Sequence, residues 1–543
     1  MEGLGGTAPS GPRVPGLGLG WVLGRRRPPA PLLAAGIVVG AAAMLPAAYL
    51  LIVVAGDLGP ALEVAFDADT ALLVARTLGL AAAVTATAIA IALPVGWLTV
   101  RTDLPARRLW TTLLTLPLVI PSYVGAYLFV AALGPNGLLQ DLLGVEQLPS
   151  IYGFAGAWLV LSLFTYPLVL LPVRSTLRRL DPQLEDAARA MGRTPTETFR
   201  SVVMPQLWPA LAVGGLLVAL YVISDFGAVS IMRFDTITNE LYLTYKSSFD
   251  RTAAAGLGAV LVVLMLLALW LNSRIRNARA THRLGPGPAR PPRAYPLGRW
   301  RWPALAGCGL LALAALVLPV AVLVYWSTKG ISAGSTTIEF AAGLAANSLM
   351  TGVGAAIFGA LAALVLAVLV GRFPSPLSRA LERLGHAGFA LPGIVVALAL
   401  VFFATRAAPA LYQTLTMLIF ALTVHYLPLA IGPIGASLAQ VSPRVEEAAR
   451  GLGRGPIEVF RSITVPLVRG GILAGAALVF LHAVKELPAT LILAPIGFET
   501  LATEIWTQTS FGFYEASAIP SLILLAIAAP PLYLLSERGT VTA

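Results

Sequence analysis

The sequence predicts an all-α, polytopic membrane protein of about twelve spans, arranged as two parallel six-helix repeats. Three observations predict it. The 543 residues are 57% hydrophobic and only 12% charged, with a mean hydropathy of +0.82, whereas soluble domains carry about 25% charge. Apolar runs long enough to cross about 30 Å of hydrocarbon recur along the whole chain. A polar phrase also occurs twice, 261 residues apart: Glu185-Asp186-Ala187-Ala188-Arg189-Ala190-Met191-Gly192-Arg193 and Glu446-Glu447-Ala448-Ala449-Arg450-Gly451-Leu452-Gly453-Arg454. Each is followed by a proline thirteen residues after its glycine, Pro205 and Pro466.

Residues 1–30 form a Gly/Pro-rich segment containing Arg25, Arg26 and Arg27, expected to lie in the cytoplasm. The first apolar run, 31–55, is too long for a signal-peptide core and reads as an uncleaved span. Further runs fall near 71–100, 110–133, 153–177, 207–230 and 253–273, completing a first repeat over 31–273 with a core of about 71–273. Residues 274–302 hold eight arginines and no acidic residue, so this linker is expected to be cytoplasmic. The second repeat, 303–543 with a core of about 344–535, has runs near 303–326, 344–370, 386–405, 411–437, 467–487 and 515–535. An even number of crossings per half makes the repeats parallel and puts both termini in the cytoplasm. Ile120-Pro121 and Leu391-Pro392 also correspond, at an offset of 271, while Asp225 and Glu486 keep the offset of 261.

The net charge of +11 does not indicate nucleic-acid binding, because the arginines lie between apolar runs and no soluble basic domain exists. Cys308 is the single cysteine, so the chain forms no internal disulfide. Only three lysines occur, Lys246, Lys329 and Lys485, and none follows a glycine as a phosphate-cradling loop requires. No His/Cys cluster suggests zinc. The chain therefore shows none of the residues expected of an enzyme and no cofactor of its own.

Each repeated phrase reads as helix, break, helix. Asp181-Pro182 and Ser442-Pro443 have the form of an N-cap followed by proline at the first helical position. Gly192 and Gly453 can end that helix in a left-handed cap. Thr194-Pro195-Thr196-Glu197 has capping-box spacing, and Gly455-Pro456-Ile457-Glu458 keeps its proline and glutamate.

This pattern resembles the EAA motif of ABC-importer permeases: Glu-Ala-Ala, three residues, Gly, nine residues, then Ile-x-Leu-Pro. Here it stands as Asp186-Ala187-Ala188, Gly192 and Val202-Val203-Met204-Pro205, then as Glu447-Ala448-Ala449, Gly453 and Ile463-Thr464-Val465-Pro466. The resemblance implies two fused domains of the type I importer, MetI-like permease fold in a bacterial inner membrane. It also implies two partner ABC ATPases that bind ATP and Mg, and a periplasmic or lipid-anchored substrate-binding protein. Glu185, Asp186, Ala187, Ala188, Arg189, Gly192 and Pro205, with Glu446, Glu447, Ala448, Ala449, Arg450, Gly453 and Pro466, would then form the ATPase-coupling elements.

The stretches around Ser224-Asp225-Phe226-Gly227-Ala228 and Lys485-Glu486-Leu487-Pro488 are similar to ferric-iron permeases, and thiamine permeases are similar fused proteins. Asp225 and Glu486, with Lys485 beside the latter, are candidates for a pathway, a gate or transient metal contact, since membrane carboxylates usually face a cavity or a partner. Each carboxylate could equally cap a helix break, and Lys485 could simply neutralise Glu486. Glu240 and Glu504 lie in the loops after these spans, where they could receive a binding protein or remain ordinary solvated charges. His425 and His482 read as buried histidines bonded to backbone or hydroxyl. With Asp225 and Glu486 they are also what a proton-coupled secondary transporter would need, which is the alternative from another class.

Overall fold

The computed structural model describes residues 28–135, 137–144, 149–248, 251–277, 294–334 and 337–541. Most of the N-terminal segment, including Arg25, Arg26 and Arg27, and the middle of the linker lie outside the described residues. Among the described residues every regular element is helical, apart from an isolated parallel bridge between Thr102 and Tyr295.

Among the described residues the first half has two short helices of its own, Leu58–Ala65 and Leu138–Leu143, and ten helices of each half correspond. In the first they are α1 (Ala30–Gly56), α2 (Ala68–Arg101), α3 (Arg107–Leu113), α4 (Ser122–Leu133), α5 (Phe154–Arg179), α6 (Pro182–Ala190), α7 (Pro195–Ser224), α8 (Gly227–Ile231), α9 (Ile237–Leu243) and α10 (Arg251–Asn277). Their counterparts are α11 (Gly298–Ser332), α12 (Ile338–Arg372), α13 (Pro376–Gly385), α14 (Gly393–Ala407), α15 (Leu415–Gln440), α16 (Pro443–Gly451), α17 (Pro456–Val484), α18 (Pro488–Leu493), α19 (Leu501–Ser510) and α20 (Tyr514–Val541). Local chemistry repeats with the helices. The Asp67 side chain accepts from the Asp69 N–H to start α2, and Thr337 accepts from the Phe340 N–H to start α12.

Eleven helices among the described residues are long and apolar enough to cross a membrane, and a pair bent by 105° makes up to twelve. Two runs expected to be single spans are broken. The run 110–133 divides into α3, a 3-10 turn over Leu116–Val119, and α4, because Pro117 and Pro121 cannot continue a helix. The run 386–405 starts with the 3-10 turn His386–Ala390 after α13, and only past Pro392 does α14 begin. The fifth and eleventh spans also stop early, at Ser224 and Val484, each followed by a break and a short helix.

In each half the second, fourth and fifth long helices pack as a triangle: α2, α5 and α7, then α12, α15 and α17. The first helix of each half reaches the other half. Helix α1 lies on α12, α13 and α14, with the Tyr49 and Phe403 rings edge to face at 5.5 Å, and α11 contacts α4 and α20. The outer faces of these helices present Val38, Leu51, Leu310 and Val317 at their surface, which suits a lipid environment.

Broken helices meet where the halves join. Helix α4 packs on α8 and α14 on α18 within their own halves, α4 and α8 also touch α19 across the seam, and α4 and α14 are almost wholly buried, so this interrupted backbone stays off the lipid face. Across the seam the Tyr127 hydroxyl donates to Ser521 Oγ at 2.9 Å, and the Phe226 and Trp506 rings lie 4.9 Å apart.

Candidate functional site

Two matched hairpins share one end of the bundle, and a polar cluster occupies the seam. In the first hairpin the Asp181 carboxylate accepts from the Gln183 N–H at 3.0 Å and α6 begins at Pro182. The helix ends in a Schellman motif: Arg193 N–H donates to the Ala188 carbonyl, Gly192 N–H to that of Arg189, and Gly192 takes φ +83°. In the second, Arg454 donates to Ala449 and Gly453 to Arg450, with φ +85° at Gly453. A side chain rarely adopts that conformation, which accounts for glycine at both points. Thr194 and Glu197 form the expected capping box. Gly455 has no hydroxyl to repeat it, and Ser442, expected to cap α16, makes no side-chain cap bond.

After each hairpin the chain passes through a five-residue π turn, Phe199–Val203 and Phe460–Thr464, just ahead of Pro205 and Pro466. Wider turns of this kind recur at functional positions.

The repeated glutamates divide into two kinds. Asp186, Ala187, Glu447 and Ala448 are exposed. Glu185 and Glu446 are buried with Ala188 and Ala449, turned into the protein. Glu185 pairs with Arg101 at the end of α2 and accepts from the Tyr295 hydroxyl at 2.6 Å. Glu446 accepts from Arg372 at the end of α12, at 2.9 Å, and from Thr464 Oγ1 at 3.1 Å, and Arg450 stands 3.9 Å away. Arg101 and Arg372 escaped the sequence reading, although they are 271 residues apart, the offset already shown by the Ile-Pro and Leu-Pro pairs. Tyr295, at the end of the linker, had no counterpart to reveal it. Its N–H donates to the Arg101 carbonyl at 2.8 Å, its ring stacks on Trp97 at 5.7 Å, and Arg189 donates to its hydroxyl at 2.8 Å.

The outward surface of the hairpins is apolar as well as charged. Met191 is 72% exposed, Leu452 85% and Ile457 75%, with Leu184 and Val445 beside them. Both elements thus hold large apolar side chains at their surface.

At the seam, Asp225 follows α7 and caps α8. Its Oδ1 accepts from the Ala228 and Val229 N–H groups, and its Oδ2 from Ser122 Oγ at the start of α4. Glu486 follows α17, and its Oε1 accepts from the Ala489 N–H of α18 at 3.1 Å. The Tyr426 hydroxyl donates to its Oε2. Thr238 and Thr490 complete the parallel by donating to the Asp225 and Glu486 carbonyls. Lys485 reaches across the seam, with its Nζ 3.4 Å from the Leu118 carbonyl. His482 Nδ1 lies 2.9 Å from the Leu478 carbonyl, whereas His425 Nδ1 is buried with no partner.

Glu240 is half-buried and 3.5 Å from Thr244 Oγ1. Glu504 is only 5% exposed and accepts from Gln508 Nε2 at 2.8 Å, and burial pushes its carboxyl up. Among the described residues no three His, Cys, Asp or Glu side chains converge on a metal position.

The family described as binding-protein-dependent transport system inner membrane component matches residues 88–279 and again 363–537. The chain is 32% identical to the Fe(3+)-transport system permease protein FbpB 2 of Haemophilus influenzae, over 94% of this chain and 99% of that protein. Single-domain relatives are more distant. The sulfate transport system permease protein CysT of Salmonella typhimurium is 28% identical over 33% of this chain and 67% of its own length. The molybdenum transport system permease protein ModB of Escherichia coli is 29% identical over 36% of this chain and 92% of its own. These matches set aside the proton-coupled secondary transporter. The chain is a transport subunit, not an enzyme, and it belongs to the inner-membrane permease family of binding-protein-dependent ABC importers, carrying that family's domain twice.

Proposed function

We propose that this permease moves ferric iron into the cytoplasm, and that α6 and α16 are the coupling helices on which two ABC ATPases dock. The observation that carries the coupling assignment is the matched pair of hairpins with clamped roots and exposed apolar tips. Glu185 and Glu446 hold each hairpin rigidly to the ends of α2 and α12, while Met191, Leu452 and Ile457 offer a partner contact area. A push on the tips is then passed to the long helices through buried ion pairs and not lost in a flexible loop. Asp186, Ala187, Glu447 and Ala448 meet the ATPase; Glu185, Ala188, Glu446 and Ala449 act inside the permease.

The iron assignment is supported by similarity along nearly the whole chain to a relative named for Fe(3+) transport. In this reading the hairpin end, the linker and both termini face the cytoplasm, and a binding protein delivers its cargo at the opposite end. ATP-driven closure of the ATPases rocks the halves about the seam and opens the pathway outward, and hydrolysis resets it. The test is reconstitution of the chain with its ATPases and binding protein in proteoliposomes. Hydrolysis is expected to rise with ferric-loaded binding protein and to be abolished by Gly453→Trp. Stimulation by sulfate or molybdate in place of iron would overturn the substrate, and unchanged coupling in Gly453→Trp would overturn the docking.

A further inference from the structure

The two seam carboxylates are not equivalent. Both oxygens of Asp225 are taken up inside its own half, by two backbone N–H groups and by Ser122. Glu486 spends Oε1 on its helix cap but gives Oε2 to a phenol, Tyr426. The counterpart of Ser122, at the offset of 271, is Gly393. A Cβ at Gly393 would fall 2.5 Å from Glu486 Oε1 and 3.5 Å from His425 Nε2, so only glycine leaves the carboxylate this space.

A second phenol comes from the other half. Tyr123, at the start of α4, is 3% exposed, and its hydroxyl has no hydrogen-bond partner. It packs beside the chain at Glu486: a Cβ placed on Gly227 would lie 2.6 Å from Tyr123 Cβ and 3.3 Å from Leu487 Cδ2. The Tyr426 hydroxyl donates to Glu486 Oε2, and Leu487, the next residue in the chain, shares with Tyr123 the space around Gly227. A buried, unpaired hydroxyl is unfavourable unless something uses it.

We propose that Glu486, Tyr426 and Tyr123 form a transient ferric-ion site on the seam, with Asp225 confined to capping α8. The proposal rests on the ferric reading of the transported substrate. One carboxylate and two phenols are hard oxygen donors, suited to a small trivalent cation and unsuited to an oxyanion, which the carboxylate would repel. Three donors drawn from two halves hold the ion loosely, and they separate when the halves rock, so the site passes an ion on instead of storing it. Each phenol that ligates gives its proton to a hydroxide carried by the hydrolysed ferric ion, which leaves as water, and the iron stays ferric throughout.

The experiment titrates the full chain in lipid nanodiscs with ferric nitrilotriacetate and follows the visible phenolate-to-iron(III) charge-transfer band. The band is expected in the unaltered chain, lost in Tyr426→Phe and diminished in Tyr123→Phe. Glu486→Gln should raise the half-saturating iron concentration about tenfold or more. Tyr127→Phe, which alters a seam tyrosine already bonded to Ser521, should keep the band and shows that a seam phenol can be removed without unfolding. Absence of the band, or its persistence in both Tyr426→Phe and Tyr123→Phe, overturns the site. Ferric-stimulated hydrolysis in the reconstituted complex, without the band, sinks the site and leaves the substrate reading standing. Stimulation by sulfate or molybdate alone removes both.

Discussion

The two hairpins share a backbone and differ in how they are clamped. In the first half Glu185 meets an arginine with a fully buried side chain and a tyrosine brought from the linker, which stacks on Trp97 and bonds Arg189. In the second half Glu446 meets a partly exposed arginine, a threonine of its own π turn and, more distantly, Arg450. The duplicated motif thus fixes the shape of the hairpin, and unrelated residues fix its root. The first hairpin is tied to the segment joining the halves, whereas the second depends only on its own half.

The sharpest way to break this comparison is to remove the arginines. Arg101→Ala leaves a buried carboxylate with only the Tyr295 hydroxyl, and loss of one partner of a buried pair typically destabilises by about 3–5 kcal/mol. Arg372→Ala should have the smaller effect, because Arg372 keeps 11% side-chain exposure and Arg450 stands 3.9 Å from the same carboxylate. Thermal unfolding of the two purified variants measures the order, and equal losses would show that the clamps are equivalent. Replacing Arg101 and Glu185 together, by Met and Gln, should recover part of the stability lost in Arg101→Ala, since no unpaired charge then remains.

Next in size are the glycines, where the halves should behave alike. Gly192 and Gly453 have open space around the position of a Cβ, so alanine meets backbone strain and no clash. The penalty of about 1–2 kcal/mol for a left-handed residue should appear equally in Gly192→Ala and Gly453→Ala, as a matching fall in coupled ATP hydrolysis. A large inequality would mean that one hairpin dominates. Tyr295→Phe should act on the first hairpin alone. It deletes the bonds to Glu185 and from Arg189 while keeping the ring stack, a loss of about 1 kcal/mol per bond, read as faster amide exchange across α6 with α16 unchanged.

Much of this arrangement was legible in the residues. The membrane class, the twofold repeat and the cap signals of the hairpins follow from patterns that are local in sequence, and local patterns survive folding. Prolines 117, 121 and 392 were visible too, yet mean hydropathy over a run does not register a break, so two interrupted segments read as whole spans. The clamps were hidden for a different reason. Arg101 and Glu185 are separated by 84 positions, and only the packing of α2 beside α5 brings their ends together. Tyr295 belongs to a linker whose composition suggested no structure. The exposed acidic residue next to each buried one, Asp186 and Glu447, also concealed which carboxylate faces inward.

The smallest expected effect concerns the second turn of each hairpin, where the halves differ by one hydroxyl. Thr194 Oγ1 accepts from the Glu197 N–H at 3.3 Å, and the Thr194 N–H donates to Glu197 Oε2 at 2.8 Å. These bonds from Thr194 hold the Glu197 carboxyl below its usual range. In the second half Glu458 has no such donor and lies 3.6 Å from Arg454 in an exposed ion pair, which contributes little. Because the Glu197 value is depressed in the folded state, its contribution is present above the ordinary carboxylate range and is lost as pH falls through the lowered value. Acid should therefore loosen the start of α7 more than the start of α17. Amide exchange at Glu197, compared with Glu458 across that range, reads the difference. Thr194→Ala should remove the contrast, and Gly455→Thr should transfer it to the second half by completing a capping box with Glu458. If the two starts exchange alike in acid before either substitution, the hydroxyl contributes nothing and the asymmetry of the hairpins lies wholly in their clamps.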